Sequence, residues 1–281
     1  MKIVVDLGGT KGDWRLIRPD GHIEAVQTRG FNPTLHSMWD LEQIIKSDLN
    51  LHKHTISEVF YYGAGVHGDM IIHSLSVTLK SLLQTDKIEI NSDLIAACRA
   101  TCQYDKGIVS ILGTGSSTCL YDGSDVVDKI PSLGYIAGDE GAGSSLGKRI
   151  LQAYYYREMP KDLKGEFEKL YGFSREELLE NIYKRPGANS YLASFANFAL
   201  NHKEHPFIDT LIRQEFENFV TRHLLKYFQA KQYRCHFVGS IAWFLQDQLK
   251  SILENHGLLL GSVIRKPIDD LVYFHNHPIK P

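Results

Sequence analysis

Val4 to Ile17 reads VVDLGGTKGDWRLI. A β-branched run ends on Asp6, then two glycines, a threonine and a lysine lead into a second strand-like run. The stretch is either a phosphate cradle or a tight turn between strands. A Walker-type loop needs GxxxxGK[ST] before a helix, and a dinucleotide-binding loop also leads into a helix. Here the glycines lead into a strand. What remains is a hairpin turn whose backbone N–H groups can form an anion nest. Gly8 and Gly9 permit the left-handed conformations such a nest needs. Thr10 adds a hydroxyl, Lys11 has the reach to meet a phosphate, and Asp6 at the strand end is placed to hold the water shell of Mg²⁺. An ordinary hairpin with a solvated Asp6 is the alternative.

The pattern returns at Gly107–Ile130, GIVSILGTGSSTCLYDGSDVVDKI. Leu7-Gly8 aligns with Leu112-Gly113, and the hairpin signal Asp20-Gly21 corresponds to Asp122-Gly123. A spacing of about 105 residues is too long for a solenoid repeat. It implies two related domains, each opening with a β-meander and a phosphate-type turn. Between the copies, helices are expected near Ser37–Asn50 and over DMIIHSLSVTLKSLLQ, with strands at SEVFYYGAGV and KIEI. A further helix starts at Ser92 or Asp93. After the second copy the chain reads as mainly helical. A helix begins near Gly143, Ser174 and Glu177 suggest a capping box, and helices are expected over Ala188–Asn201 and Pro206–Gln229. YRCHFVGSIAW reads as a strand ending in a Gly-Ser turn, followed by a helix to about His256, the strand LLLGSVIRK and a short final helix near Pro267.

At 281 residues, 43% apolar and 23% charged, the composition is that of an ordinary globular chain. A net charge of −2 argues against a protein that binds nucleic acid through a broad basic surface. There is no apolar stretch of about 18 residues and no leader pattern, so no membrane span is expected and the cytoplasm is the expected location. Of the four cysteines, Cys98 and Cys102 share one face of a probable helix. Core packing is the better reading, against a cluster-ligand pair. No HExxH pattern occurs, and no structural metal is assigned.

Paired hairpins of this kind, DLGGTKGD and LGTGSS, resemble the sugar kinase, chaperone ATPase and actin superfamily. GDEGAGSSLG (Gly138–Gly147) and FVGSIAW (Phe237–Trp243) are similar to the N-acetylglucosamine kinase branch, close to the BadF/BadG/BcrA/BcrD ATPases. The resemblance covers nearly the whole chain in the right order. It implies an α/β fold of two ribonuclease-H-like, actin-like ATPase lobes, residues 1–103 and 104–281, with ATP and substrate in a central cleft. The last helix would pack back on the first lobe.

The resemblance further implies an ATP- and Mg²⁺-dependent kinase of an amino sugar, N-acetylglucosamine first, giving the 6-phosphate. Gly8, Gly9, Thr10 and Lys11 would take one side of the triphosphate, and Gly113, Thr114, Gly115 and Ser116 the other, with Gly115 and Ser116 also near the sugar. Asp93 follows a strand at a probable helix N-terminus, which favours its ionised form by a few tenths to about 1 kcal/mol. By pattern it is either the base for the sugar hydroxyl or a helix cap, a task Ser92 can also perform. Its match to the family's catalytic aspartate favours the base. Asn32 in GFNP is a candidate for a sugar hydroxyl or simply a turn residue. Asp139, or equally Glu140, is a candidate for a sugar hydroxyl or the Mg²⁺ water shell, against an ordinary acidic turn. Gly239 and the Ser240 beside it would lie against adenosine. Glucosamine and N-acetylmuramic acid are alternative substrates. An activase holding an iron–sulfur cluster and a non-catalytic filament or sensor module are alternative classes. The expected partner is a small amino sugar, without nucleic acid or membrane, and a homodimer is left open.

Overall fold

The computed structural model describes residues 1–49, 51 and 55–277. In chain order the first elements are β1 (Lys2–Leu7), β2 (Lys11–Ile17), β3 (Ile23–Arg29), α1 (Met38–Asp48), β4 (Glu58–Gly63), α2 (Asp69–Leu83), β5 (Ile88–Ser92) and α3 (Asp93–Thr101). Then come β6 (Gly107–Leu112), β7 (Ser116–Tyr121), β8 (Val126–Ile130), α4 (Gly134–Ala137), α5 (Gly143–Tyr155), α6 (Lys161–Leu170), α7 (Arg175–Tyr183), α8 (Ala188–Ser194), α9 (Ala196–Asn201) and α10 (Pro206–Arg222). The last are β9 (Arg234–Val238), α11 (Ser240–Phe244), α12 (Gln246–Asn255), β10 (Leu259–Ile264) and α13 (Ile268–Asn276).

The chain divides into two compact units, Met1–Tyr104 with Lys266–Pro281, and Asp105–Arg265. In the first unit β1–β3 form an antiparallel meander, and β4 and β5 continue the sheet parallel to β1, in the order β3-β2-β1-β4-β5. Ile3, Val5 and Leu7 alternate onto one face. With Trp14 and Leu16 they bury against Leu41, Ile44 and Ile45 of α1 and the Leu75–Leu79–Leu83 stripe of α2. Val4, on the opposite face, is also buried, so β1 reads as a continuous apolar run, as a strand covered on both faces must. That second cover is α3 and α13. The final helix packs Ile268, Leu271, Val272 and Phe274 inward. Its start is tied to β2 by Arg15 Nε on Asp269 Oδ1 at 2.7 Å, and by Lys266 Nζ at 2.9 Å from both oxygens of Asp13.

The second unit repeats the plan. Its sheet order is β10-β9-β6-β7-β8, again a meander continued by two parallel strands. The expected α/β fold with a meander opening each half is therefore observed. The long helices read in this half are broken. The helix over 188–201 divides at Phe195, whose N–H bonds the carbonyl of Leu192, three residues back. That tighter turn seats the buried ring among Phe167, Tyr171, Phe173 and Tyr191. The helix from Pro206 ends at Arg222 instead of Gln229, because the chain then bends to bury Leu224 and Tyr227. Leu245, buried and non-helical, separates α11 from α12. The end of the helix expected at Asn50 lies outside the described residues. Among the described residues, no helix is long and apolar enough to cross a membrane.

Leu271 is wholly buried in α13. Leu271→Ala is expected to cost about 2–5 kcal/mol, read as a lower urea midpoint for the first unit's transition.

Candidate active site

In the first unit the candidate residues gather at the carboxyl ends of the parallel strands, the usual place for a ligand crevice in an α/β sheet. Asp6 lies at the end of β1, Gly63 ends β4, and Ser92 ends β5. The choice between Ser92 and Asp93 as helix cap is resolved by geometry. Ser92 Oγ accepts the N–H of Ile95 at 3.3 Å, which leaves the Asp93 carboxylate at the first position of α3. Burial raises the Asp93 pKa to about 6, against the N–H groups of Leu94 and Asp93 and the charge of His67, which lower it.

The turn after Asp6 is closed by Gly8 N–H on the Lys11 carbonyl at 3.0 Å. Two further bonds, Phe31 N–H to Gly8 and Gly30 N–H to Thr10, hold it from the side. Gly30 presses so closely that a Cβ there would stand 2.4 Å from the Gly8 carbonyl oxygen. The left-handed nest expected at Gly8 and Gly9 is not formed. Neither residue has a positive φ, because an ordinary hairpin closure already turns the chain. A Cβ on Gly9 would meet nothing within 4 Å, so its bareness is not required by packing and leaves the backbone open to a close ligand. Thr10 and Lys11 are exposed beside it.

Sequence reasoning missed two members of this site. The turn pairs Asp6 with Asp13 across the strands, and Asp13 accepts from Lys266 and from Gln27 Nε2 at 3.2 Å. Burial, then the charges of Asp93 and Asp13, push Asp6 up to about 7, while Lys266 works the other way. The register of a four-residue hairpin would have placed Asp13. Nothing local marks Lys266, which is 253 residues away.

Asn32 takes the turn role among its two readings. Its Oδ1 accepts from Thr34 N–H and Thr34 Oγ1 at 2.9 and 2.7 Å, an Asx turn. The amide Nδ2 is the group left to meet a hydroxyl.

In the second unit the equivalent turn is braced by α5. The N–H groups of Gly143 and Ser144 donate to the carbonyls of Gly113 and Thr114 at 2.8 and 2.9 Å. Asp139, buried and held at φ +64°, accepts the Ser116 N–H at 3.1 Å and Ser144 Oγ at 3.4 Å. Its carboxylate lies against Gly115, where a Cβ would stand 2.9 Å from Oδ2. The GDEG segment is therefore a buried brace, not a surface acidic turn. Behind it, buried Glu215 accepts from Ser145 Oγ at 2.6 Å, Arg149 Nε at 2.9 Å and the Gly141 N–H at 3.5 Å. Glu140 pairs with Arg222 Nη1 at 2.9 Å and His223 Nε2 at 3.1 Å. Gly239, at φ +124°, packs where a Cβ would stand 2.3 Å from the Leu112 carbonyl. The second turn therefore requires glycine there whatever lies beside Ser240.

A structure from Porphyromonas gingivalis, provisionally assigned as an N-acetylglucosamine kinase, superposes on this chain with a TM-score of 0.92 and 33% identity, covering 98% of both chains. The chain belongs to the N-acetylglucosamine kinase-like family. A second protein with the same provisional assignment, from Chromobacterium violaceum, is 19% identical, with a TM-score of 0.75 over 97% of this chain and 98% of that one. A ROK family glucokinase from Streptomyces griseus, in complex with glucose and AMPPNP, shares the fold at 12% identity and a TM-score of 0.58, over 98% of each chain. No model of a known protein family and no curated protein matches the chain.

The raised carboxyl pKa of Asp6 has a consequence for stability. Between pH 4 and 7 the folded state holds more protons at Asp6 than the unfolded state, so this group lowers stability as pH rises through that window. Asp6→Asn, in buffer containing EDTA, is expected to be close to neutral near pH 4. By pH 8 it should stabilise by ~1–3 kcal/mol, measured by urea unfolding at both pH values.

Proposed function

We propose that this protein is an ATP-dependent kinase of an amino sugar, with N-acetylglucosamine as the substrate and its 6-phosphate as the product. The observation that carries the reading is Asp93. It is a partly buried carboxylate at a strand's carboxyl end, relieved of capping by Ser92, and ionised at neutral pH. Family membership supports the substrate class.

Asp93 would accept the proton of the sugar 6-hydroxyl as that oxygen forms its bond to the γ-phosphorus and the bond to the leaving ADP oxygen breaks. The bare backbone at Gly9, with Gly8, Thr10 and Lys11, would bind phosphate in the first unit. In the second, Gly113, Thr114, Gly115 and Ser116 would do so. Gly239 and Ser240 are proposed for adenosine, and Asn32, Gly115, Ser116 and Asp139 for the sugar. Among the described residues, no group of three or more His, Cys, Asp or Glu side chains is placed to hold a metal ion. The Asp6 carboxylate at the end of β1 is a donor of the kind Mg²⁺ uses, since that ion keeps most of its waters and takes one or two carboxylates plus substrate phosphates. Asp6 would hold its water shell, and the ion would neutralise charge on the phosphates. The cysteines do not favour the activase reading. Cys98 and Cys102 are buried within the first unit, as core-packing residues are.

The test is ADP release with Mg·ATP across N-acetylglucosamine, glucosamine, N-acetylmannosamine, N-acetylmuramic acid, glucose and no sugar. The largest stimulation is expected with N-acetylglucosamine. ATP hydrolysis indifferent to every sugar would sink the reading. Asp93→Asn is expected to lower kcat by at least about 100-fold with ATP binding near wild type. In the wild type, the acid limb of kcat/KM for the sugar should fall with an apparent pKa near 6, since Asp93 must be ionised to act.

A further inference from the structure

Two lysines stand beside the first hairpin, and the sequence around the turn marks only one of them. A Cβ on Gly12 would run into the Leu7 side chain, so Gly12 and Trp14 face the core under α1 and α2. Lys11, Asp13 and Arg15 therefore share the opposite face of β2, the face that α13 covers. Arg15 bonds to Asp269 at 2.7 Å, and Asp13 takes Lys266 Nζ at 2.9 Å on each of its two oxygens. Lys11 comes next in that row, about 7 Å along the strand from Asp13. The Lys266 ammonium is thereby set next to the turn whose backbone is bare at Gly9.

The pair is not needed to seat α13. The start of that helix has its own anchors in the Arg15–Asp269 bond and in buried Ile268 and Leu271. The Lys266 side chain is 47% exposed, whereas that of Asp13 is 15% exposed. An ion pair to a cation so open to water contributes little to stability. If the ammonium leaves, Asp13 still accepts from Gln27 Nε2 at 3.2 Å. A second position for the ammonium is therefore cheap, and a flexible four-carbon stem gives it reach. The charge also acts on Asp6, where it opposes the effect of burial. Asp6 and Asp13 lie opposite each other in register, and together they would repel an anion on the neighbouring turn. A lysine serves phosphate as a point charge, and here it is held at the spot where that repulsion must be offset.

We propose that Lys266 is a further phosphate-binding residue of this site, its ammonium held by Asp13 and turning to the polyphosphate when ATP seats on the first hairpin. The inference rests on the nucleotide reading of that hairpin and adds a cation that no local motif marks. Asp13 holds the ammonium in place and is a positioning residue.

The experiment measures binding of AMPPNP and of AMP by titration calorimetry, with Mg²⁺ present, on the full chain and its variants. Lys266→Met keeps the aliphatic stem and removes the charge. It should lower the affinity for AMPPNP at least about tenfold, the size of one lost hydrogen bond to a charged group, with a much smaller effect on AMP. Lys266→Arg keeps the charge and should recover part of the loss. Asp13→Asn removes the ion pair and leaves the ammonium. In that background Lys266→Met should still lower AMPPNP affinity at least about tenfold. A purely structural ion pair would instead make the second substitution add nothing. Both chains in that comparison lack the pair, so its contribution to folding cancels. The inference is overturned if Lys266→Met changes neither affinity, weakens AMPPNP and AMP equally, or has no effect in the Asp13→Asn background. Binding is read without sugar and without turnover. AMPPNP binding that ignores Lys266 would remove this inference and leave the kinase reading standing. Binding that needs Lys266, in a protein without sugar-stimulated ADP release, would do the reverse. A wild type that binds no AMPPNP would overturn both.

Discussion

Gly8 donates its N–H to the Lys11 carbonyl, and that bond closes β1 onto β2 with Leu7 opposite Gly12 and Asp6 opposite Asp13. A slip of one residue would exchange the two faces of β1. Ile3, Val5 and Leu7 would leave the core under α1 and α2, and Asp6 would point into it. The same turn therefore decides burial and chemistry together. Gly30 enforces the register from outside, because its bare Cα is the only kind that fits against the Gly8 and Thr10 backbone.

The result is a cluster whose stability cost is built in. Asp6, Asp13 and Asp93 bring three carboxylates toward one strand end, and Lys266 is the cation that bonds to Asp13 and also acts on Asp6. A core selected only for stability would neutralise such a group or replace it. An acidic cluster at the carboxyl end of a sheet is better understood as a site awaiting charge from outside. Lys266 also begins the segment that completes the first unit, so the ion pair joins the chemistry of β2 to the seating of α13.

Local features of the sequence were legible. The two hairpins, their Asp-Gly turns, the strand ends and the position of Asp93 all follow from residues a few places apart, where turn chemistry and periodicity act directly. Asp13 was within reach by counting across the turn. Lys266, His223 and Glu215 were not, because their roles come from contacts made only after folding, 253 residues away from Asp13 in the case of Lys266. The misread helices failed for the same reason. Phe195 and Leu245 read as good helical residues, but burying their side chains requires the chain to bend there. The freedom of φ read for the glycines at 8 and 9 goes unused, because the hairpin closes with ordinary backbone geometry.

The two units share one strand order but have diverged in how they use it. Aligning Leu7 with Leu112 puts Ile111 where the first unit has Asp6, so the second strand end carries no charge. Its turn is one residue shorter, with Leu112 opposite Ser116, and its carbonyls are bound by the first N–H groups of α5. The carboxylate it uses is Asp139, brought in from a separate segment and committed to the Ser116 N–H. The second turn is instead neutral at its strand end and braced from behind by α5.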